Sequence, residues 1–185
     1  MRIIIFAALL LVHGFAWAQE AKQPALGYNL AEFRFVDVDR SGGDGFKLGG
    51  SFQFSGNWLA VGSISRINFN NDVDSTTVEL GAGYIWPYRA DWDFLANVRI
   101  VRSDVDSPFG SADDTGVGLT GGLRGLITPQ FEIRGAVHHI NLDNSDTYLE
   151  LAGDYYFTQN FAAGLSVDFA GDTDAWTLGA RWYFR

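Results

Sequence analysis

The side chains best suited to chemistry are two adjacent histidines and the aspartates of nearby segments. Asp72 and Asp74 flank a single residue, and His138 and His139 shortly precede Asp143. A histidine held beside a carboxylate can activate water for hydrolysis. In a strand, however, successive side chains point to opposite faces, so the two histidines cannot act as one unit. The sequence has no cysteine and no G-x-S-x-G, Walker or H-E-x-x-H motif, and we therefore expect no enzyme, cofactor or metal centre.

The first 18 residues have the features of a cleaved export signal. Arg2 gives a positive start, residues 3–12 form an apolar run too short to cross a bilayer as a helix, and Ala16-Trp17-Ala18 gives a small-x-small cleavage pattern. We expect residues 1–18 to be removed, residues 19–26 to form a short periplasmic segment, and residues 27–185 to form one domain. The formal net charge of −9 argues against a nucleic-acid partner.

Ten runs of alternating polar and apolar residues fill the remaining chain. In one of them Phe161, Leu165 and Phe169 share a face that excludes Ser166 and Asp168. This period of two predicts β-strands. The third run is the least regular, and if two of the weaker runs were loops the number of strands would be eight. The ten runs cover residues 28–38, 46–54, 58–68, 77–86, 92–102, 116–127, 131–141, 147–157, 161–169 and 176–184.

The connections between the runs alternate in length. Short turns at residues 55–57, 86–91, 128–130 and 158–160 alternate with longer, aspartate-rich segments at 37–44, 68–75, 103–115, 142–146 and 171–174. This layout predicts an up-and-down meander with both ends of the chain at the short-turn end.

Charged residues within the runs share the polar face. Lys47 is the only lysine among them, although a face in contact with water could use lysine freely. Arginine suits a confined lumen, where its planar group can pair with several carboxylates. We therefore expect a polar network inside a barrel, formed by Glu32, Arg34, Lys47, Glu79, Arg99, Arg124, Glu132, Arg134, Glu150, Asp154, Asp168 and Arg181.

Aromatic residues gather where the runs meet the short turns. Such a girdle is typical of the interface between headgroups and hydrocarbon. The expected girdle consists of Phe54, Trp58, Trp86, Trp92, Phe131, Phe157, Phe161 and Phe184. Tilted runs of this length cover about 25 Å, the height of an outer-membrane apolar band. Because an open sheet edge is not tolerated in lipid, the sequence predicts an all-β, closed, up-and-down antiparallel transmembrane β-barrel of ten strands. A soluble barrel or sandwich is the alternative.

The domain also resembles a family. The segments GYNLAEFRFVDVD, DGFKLGGSFQFSGNWLAVG, TTVELGAGYIW, LITPQFEIRGAV and YFTQNFAAGLSVDFAGDTDAWTLGARWYF are similar to those of small Gram-negative outer-membrane barrel proteins of the xanthomonad, vesicle-associated type, within the OmpA/OmpX-like class. The resemblance covers nearly all of residues 27–185 and implies a location in the outer membrane or its vesicles. It carries over no active-site residue.

Balanced charges favour a plugged lumen. The network has six carboxylates and six cations, whereas an ion-selective ring would carry one sign. We expect a non-enzymatic barrel with a structural or surface-interaction role, a narrow passive pore being the alternative and a rim protease resembling the omptins a remote one. Its expected partners are outer-membrane lipid, lipopolysaccharide, periplasmic chaperones and the barrel-assembly machinery.

The acidic segments between the runs form a further candidate site. Divalent cations could bridge their carboxylates to lipopolysaccharide phosphates, although no segment matches a calcium-binding loop and aspartate is common in solvated turns. These residues are Asp37, Asp39, Asp44, Asp72, Asp74, Asp104, Asp106, Asp113, Asp114, Asp143, Asp146, Asp172 and Asp174.

Overall fold

A computed structural model describes residues 26–39, 42–70, 72–171 and 173–184. The expected signal at residues 1–18 and all but the last residue of the segment 19–26 lie outside these ranges. Among the residues described, no helix has the length and apolar character needed to cross a membrane.

Ten strands, β1 to β10, form one closed barrel in which each strand pairs with its neighbours in the chain. The ladder closes between the first and last strands, where Leu30 pairs with Tyr183 and Val38 with Ala175. The prediction of a ten-stranded up-and-down barrel is therefore confirmed, and the count of eight is wrong. The strands are β1 (Leu30–Val38), β2 (Gly43–Ser55), β3 (Trp58–Phe69), β4 (Val73–Arg89), β5 (Trp92–Ser107), β6 (Gly110–Thr128), β7 (Phe131–Asn141), β8 (Ser145–Tyr156), β9 (Phe161–Ala170) and β10 (Thr173–Tyr183).

The alternation of the strands places apolar side chains on the outer wall and charged ones inside. Leu80 on β4 is 68% exposed on the outer surface, whereas the carboxylate of Glu132 on β7 is fully buried in the interior. A soluble barrel would have the reverse arrangement, because its apolar residues would form the core. The exposed apolar wall is suited to lipid, where closing the ladder leaves no strand edge unpaired.

Strands β4, β5 and β6 are longer than the sequence indicated. We expected residues 103–115 to form a loop, but β5 and β6 continue their ladder as far as Ser107 and Gly110 and turn at Pro108 and Phe109. Asp104 and Asp113 therefore face each other across a ladder instead of lying in a loop. An antiparallel hairpin can continue beyond the membrane into water because its backbone groups pair with each other. The aspartates of this segment indicated a loop and gave no sign of that pairing.

The third run is irregular because its inward face carries apolar residues. Trp58 points outward, and Leu59 is 5% exposed and faces the interior, in keeping with a regular alternation along β3. The run does not show why this inward position is apolar, because Tyr28, which packs against Leu59, lies outside it. A bulge lies beside this point in β2, where Gln53 pairs with Leu59 and Ser55 with Trp58, so that one residue of β2 is extra.

We predict that a cation on the outer wall destabilises the barrel. Leu80→Lys places an ammonium group near the middle of the apolar band, and should lower the free energy of unfolding in lipid vesicles by about 2–4 kcal/mol. The measurement is urea unfolding followed by tryptophan fluorescence.

The matched control is Phe109→Lys, because Phe109 is a fully exposed apolar residue in the turn beyond the band. It should unfold as the unsubstituted protein does. Equal stability of the two variants would contradict the assignment of this wall to lipid.

Candidate functional site

The interior of the barrel, called the lumen here, contains a bidentate ion pair near the short-turn end, which carries the turns at residues 56–57, 90–91 and 129–130. The guanidinium group of Arg124 donates from Nε and Nη2 to the two carboxylate oxygens of Glu132, both at 2.8 Å. The two residues lie on the paired strands β6 and β7. Two parallel charge-assisted hydrogen bonds hold both side chains in one orientation.

Arg181 on β10 connects this pair to other strands. Its Nη1 lies 3.1 Å from Oε1 of Glu132 on β7 and 2.8 Å from Oδ2 of Asp154 on β8. Its Nε donates to Oε2 of Glu32 on β1 at 3.2 Å. Glu32 also accepts a hydrogen bond from Nε of Arg34 at 3.1 Å. One arginine thus pairs with three carboxylates from three strands, which its five donors make possible.

Two tyrosines complete this group of charges. The hydroxyl of Tyr156 donates to Glu132 at 2.6 Å, and Nη2 of Arg124 donates to the hydroxyl of Tyr183 at 3.2 Å. Both rings are buried, and they lie 5.4 Å apart between centroids. We call the group of Glu32, Arg124, Glu132, Asp154, Tyr156, Arg181 and Tyr183 the closing network.

A second group of charges lies farther from the short-turn end. Glu79 on β4 accepts a hydrogen bond from Nη1 of Arg99 at 3.0 Å and from the hydroxyl of Ser63 at 2.7 Å, and Nζ of Lys47 lies 3.5 Å away. Nη2 of Arg99 donates to Thr120 at 2.8 Å. The buried carboxylate of Glu79 is therefore compensated by two cations and a hydroxyl.

A third group is centred on Glu150. Arg134 donates to Oε1 from Nε at 2.8 Å and from Nη2 at 2.5 Å, while Nε2 of His138 lies 3.2 Å from Oε2. The ring of His138 stacks on Tyr148, with 4.6 Å between centroids. Its Nδ1 lies 3.0 Å from Thr120, which links this group to the second.

Ten residues of the expected polar network of twelve belong to these three groups, and Arg34 joins the first of them through Glu32. Within the described part of the chain, eleven of them make ion pairs, and Asp168 is the exception. Asp168 pairs in the ladder with Glu150, and its buried Oδ1 has no hydrogen-bond partner among those residues. A cavity of about 210 Å³ lies between the groups and is lined by Lys47, Glu79, Arg99, Arg134 and Glu150 among others.

The expected polar network omitted Asp93 and Tyr28. Asp93 is buried near the start of β5, and Tyr28, which precedes β1, donates its hydroxyl hydrogen to Asp93. Asp93 lies an even number of residues from Arg99 in the same run, so the alternation alone was sufficient to place it in the expected polar network. For Tyr28 no local signal exists, because its partner lies 65 residues away.

The expected girdle residues lie at or beside strand ends at the short-turn end. Four of these rings contact one another or neighbouring aromatic residues. Trp58 lies 5.0 Å from Tyr84 and Phe157 lies 6.0 Å from Phe161 between centroids, while Trp86 contacts Tyr84 and Phe161 also contacts Trp182. Trp92 and Phe161 are half-buried, and the others are exposed on the outer surface: Phe54, Trp58, Trp86, Phe131, Phe157 and Phe184.

The candidate hydrolytic residues do not come together. His138 contacts Glu150 inside the lumen, whereas Nδ1 of His139 lies 2.8 Å from the hydroxyl of Thr147 outside it.

At the far end, opposite the short turns, three of the described aspartates form exposed ion pairs: Asp74 with Arg66 at 2.9 Å, and Asp104 and Asp113 with Arg102. Asp172 lies outside the described residues, among which no group of three or more histidine, aspartate or glutamate side chains could hold a metal ion.

We predict that the buried and exposed arginines differ sharply in their effect on stability. Arg181→Ala leaves three carboxylates of the closing network without this partner and should lower the free energy of unfolding by about 3–5 kcal/mol. Arg181→Lys should have an intermediate effect, since one ammonium group cannot serve all three carboxylates. Urea unfolding of the refolded protein measures both.

The control is Arg66→Ala, whose side chain is 54% exposed in its pair with Asp74. A surface pair of this kind contributes about 1 kcal/mol or less. If Arg181→Ala were no more harmful than Arg66→Ala, the closing network would not contribute to folding.

Comparison with known proteins shows the fold. No family model matches the sequence, and no curated protein matches it either. Among solved structures, the KdgM porin has a TM-score of 0.52 at 12% identity and is covered over 99% of its chain by 84% of this one. The NanC porin has a TM-score of 0.55 at 11% identity, covered over 100% of its chain by 83% of this one. The chain therefore has the outer-membrane β-barrel fold found in these porins, while the narrower resemblance to vesicle-associated barrels stays a prediction.

Proposed function

We propose that this protein is an integral barrel of the bacterial outer membrane that neither conducts solutes at rest nor catalyses a reaction. Its role is structural, or lies in surface interactions through the acidic far end. Three features support this proposal: the export signal expected at residues 1–18, the apolar outer wall and the shared fold. Location in outer-membrane vesicles is compatible with the same features.

The observation that carries the closed state is the closing network. Arg181 on β10 reaches Glu132 on β7, three strands away along the wall, and Arg124 on β6 reaches Tyr183 on β10. These side chains therefore meet across the lumen and not along its wall. Arg181 is only 3% exposed, so its guanidinium group is enclosed by its partners. Opposite charges that neutralise each other also differ from the single-sign rings of selective channels.

The far end supports a role at the surface. The β5–β6 ladder is the longest among the described strands, and its far end carries Asp104 and Asp113. Their carboxylates lie 3.2 and 3.3 Å from Nη2 of Arg102. Acidic groups here are suited to contacts with lipopolysaccharide, in which divalent cations would bridge carboxylates to phosphates. Insertion of the barrel would require periplasmic chaperones and the barrel-assembly machinery.

A narrow passive pore is the second candidate. The cavity of about 210 Å³ favours it, because it shows that side chains do not fill the whole lumen. An omptin-like protease has no such support, since the two histidines face opposite sides of the wall.

We predict that the unsubstituted protein, refolded into planar lipid bilayers, gives no discrete conductance steps. The double variant Glu132→Ala and Arg181→Ala should give conductance steps, because the ion pair that joins β7 to β10 across the lumen is lost while the net charge is kept. Circular dichroism of the refolded variant checks that the barrel has formed.

The matched control removes an ion pair from the outer wall, with Arg66→Ala and Asp74→Ala, and should remain silent. Steps from the unsubstituted protein would overturn the closed barrel and support the passive pore. A folded double variant that stays silent would show that the closing network does not close the lumen.

A further inference from the structure

A short segment before β1 lies inside the lumen at the short-turn end. Tyr28 is buried, and Leu26 packs against a cluster formed by Tyr28, Leu59 and Ile85. We call residues 26–29 the strap. Leu26 was expected to end a periplasmic segment outside the barrel, but its side chain belongs to an interior cluster.

The strap is held by side chains from the opposite wall. Nη1 of Arg124 on β6 donates to the carbonyl oxygen of Gly27 at 2.8 Å, and its guanidinium carbon lies 4.9 Å from the centre of the Tyr28 ring. The Tyr28 hydroxyl donates to Asp93 on β5. In the closed ring of ten strands, β6 stands opposite β1, from which the strap extends. The strap therefore crosses the lumen.

The base of the strap is fixed to its own wall. Oδ1 of Asn29 accepts a hydrogen bond from the backbone amide of Gln53 at 2.7 Å, and the carbonyl oxygen of Asn29 accepts one from the amide of Phe184 at 2.8 Å. The Ser51 hydroxyl donates to the carbonyl oxygen of Tyr28 at 2.6 Å. Residues 26–28 precede the first ladder pair at Leu30, so their withdrawal would break no ladder of the barrel.

An apolar patch lies beneath the strap. Leu59 on β3 and Ile85 on β4 are buried there, with Leu95 on β5 packed against them. In a water-filled lumen these side chains would be hydrated at a cost of about 25 cal/mol per Å² of apolar surface. Tyr28 and Leu26 cover them. The patch is thus a binding surface for the strap.

The strap and the closing network lie mainly against different walls of the lumen and meet at Arg124 and at the ring of Tyr183, which borders Gly27. The closing network joins β1 and β6 to β7, β8 and β10, whereas the strap lies against β3, β4 and β5. Arg124 belongs to both, since it pairs with Glu132 and holds Gly27.

We propose that the strap is a gate, latched by the hydrogen bond from Tyr28 to Asp93, whose withdrawal opens the β3–β5 half of the lumen as far as the internal cavity. This inference rests on the proposed closed barrel. Withdrawal breaks the contacts of Gly27 and Tyr28 with Arg124, Ser51 and Asp93 and hydrates the apolar patch, while the closing network keeps its ion pairs. The barrel thus has one fixed closure and one movable closure.

The absence of cysteine from the sequence gives a direct test. Ile85→Cys places a single thiol under the strap, and a water-soluble maleimide reports its exposure in refolded protein. Labelling should be slow with Tyr28 present and about tenfold faster or more in Tyr28→Ser, which removes both the ring and the latch, because a shift of about 1.4 kcal/mol in the opening equilibrium changes the open population tenfold. Tyr28→Phe, which keeps the ring and removes only the latch, should label at an intermediate rate.

Two controls accompany the labelling. Asp91→Cys lies in an exposed turn at the same end and should react equally fast with either residue at position 28. Tyr155→Ser removes an exposed ring from the outer wall and should leave the labelling of Ile85→Cys unchanged.

Conductance separates this proposal from the closed barrel itself. In planar bilayers the unsubstituted protein should stay silent, and steps from it would overturn the closed barrel. If that protein is silent, unchanged labelling of Ile85→Cys in both Tyr28→Ser and Tyr28→Phe overturns the gate and leaves the closed barrel standing. If Tyr28→Ser does not refold, the labelling of Ile85→Cys in Tyr28→Phe decides.

Discussion

The closure of the backbone ladder between β1 and β10 is the constraint on which the rest of this structure depends. In hydrocarbon every unpaired amide or carbonyl group costs several kcal/mol, so only a sheet without edges is stable there. Closing the sheet fixes one face of every strand toward lipid and the other toward a narrow interior. Apolar residues such as Leu80 then face outward, and the charged residues of the spanning segments need partners inside.

The interior meets this requirement by sharing carboxylates and arginines among several strands. Glu132 accepts from Arg124, Arg181 and Tyr156, and Arg181 in turn serves three carboxylates. A buried pair of charges gains stability only when its remaining donors and acceptors are also satisfied. Tyrosine hydroxyls and the fork of arginine provide those extra contacts, whereas lysine offers a single point charge. Lys47 accordingly lies beside the cavity, where its side chain is one-third exposed.

The parts of this fold that the sequence could predict are those encoded within one strand. Whether a side chain faces inward or outward follows from its position within one run, so the alternation placed Glu132 and Arg134 on the same face. The lengths of the connections then predicted the order of the strands. The inward position of Leu59 is apolar because Tyr28 packs against it, and the β5–β6 hairpin continues because residues 103–107 pair with residues 110–114. The alternation within a single run contains neither fact. The partners of each charge were equally beyond reach, because Arg181 and Glu32 meet across 149 residues of chain.

The strap follows from the width of a ten-stranded barrel. Eight strands leave an interior just wide enough for side chains to fill, and two more strands widen it. On the side of β6 to β10, arginine and tyrosine are long enough to meet across the gap. On the side of β3 to β5 the interior residues near the short-turn end include Leu59, Ile85, Asp93 and Leu95, which are too short to reach the opposite wall. That gap must be filled by water, against an apolar surface, or by additional chain, and the chain adjoining β1 is the nearest in position to fill it. The width of the barrel therefore accounts both for the long side chains on the wall of β6 to β10 and for the position of the strap beside β3 to β5.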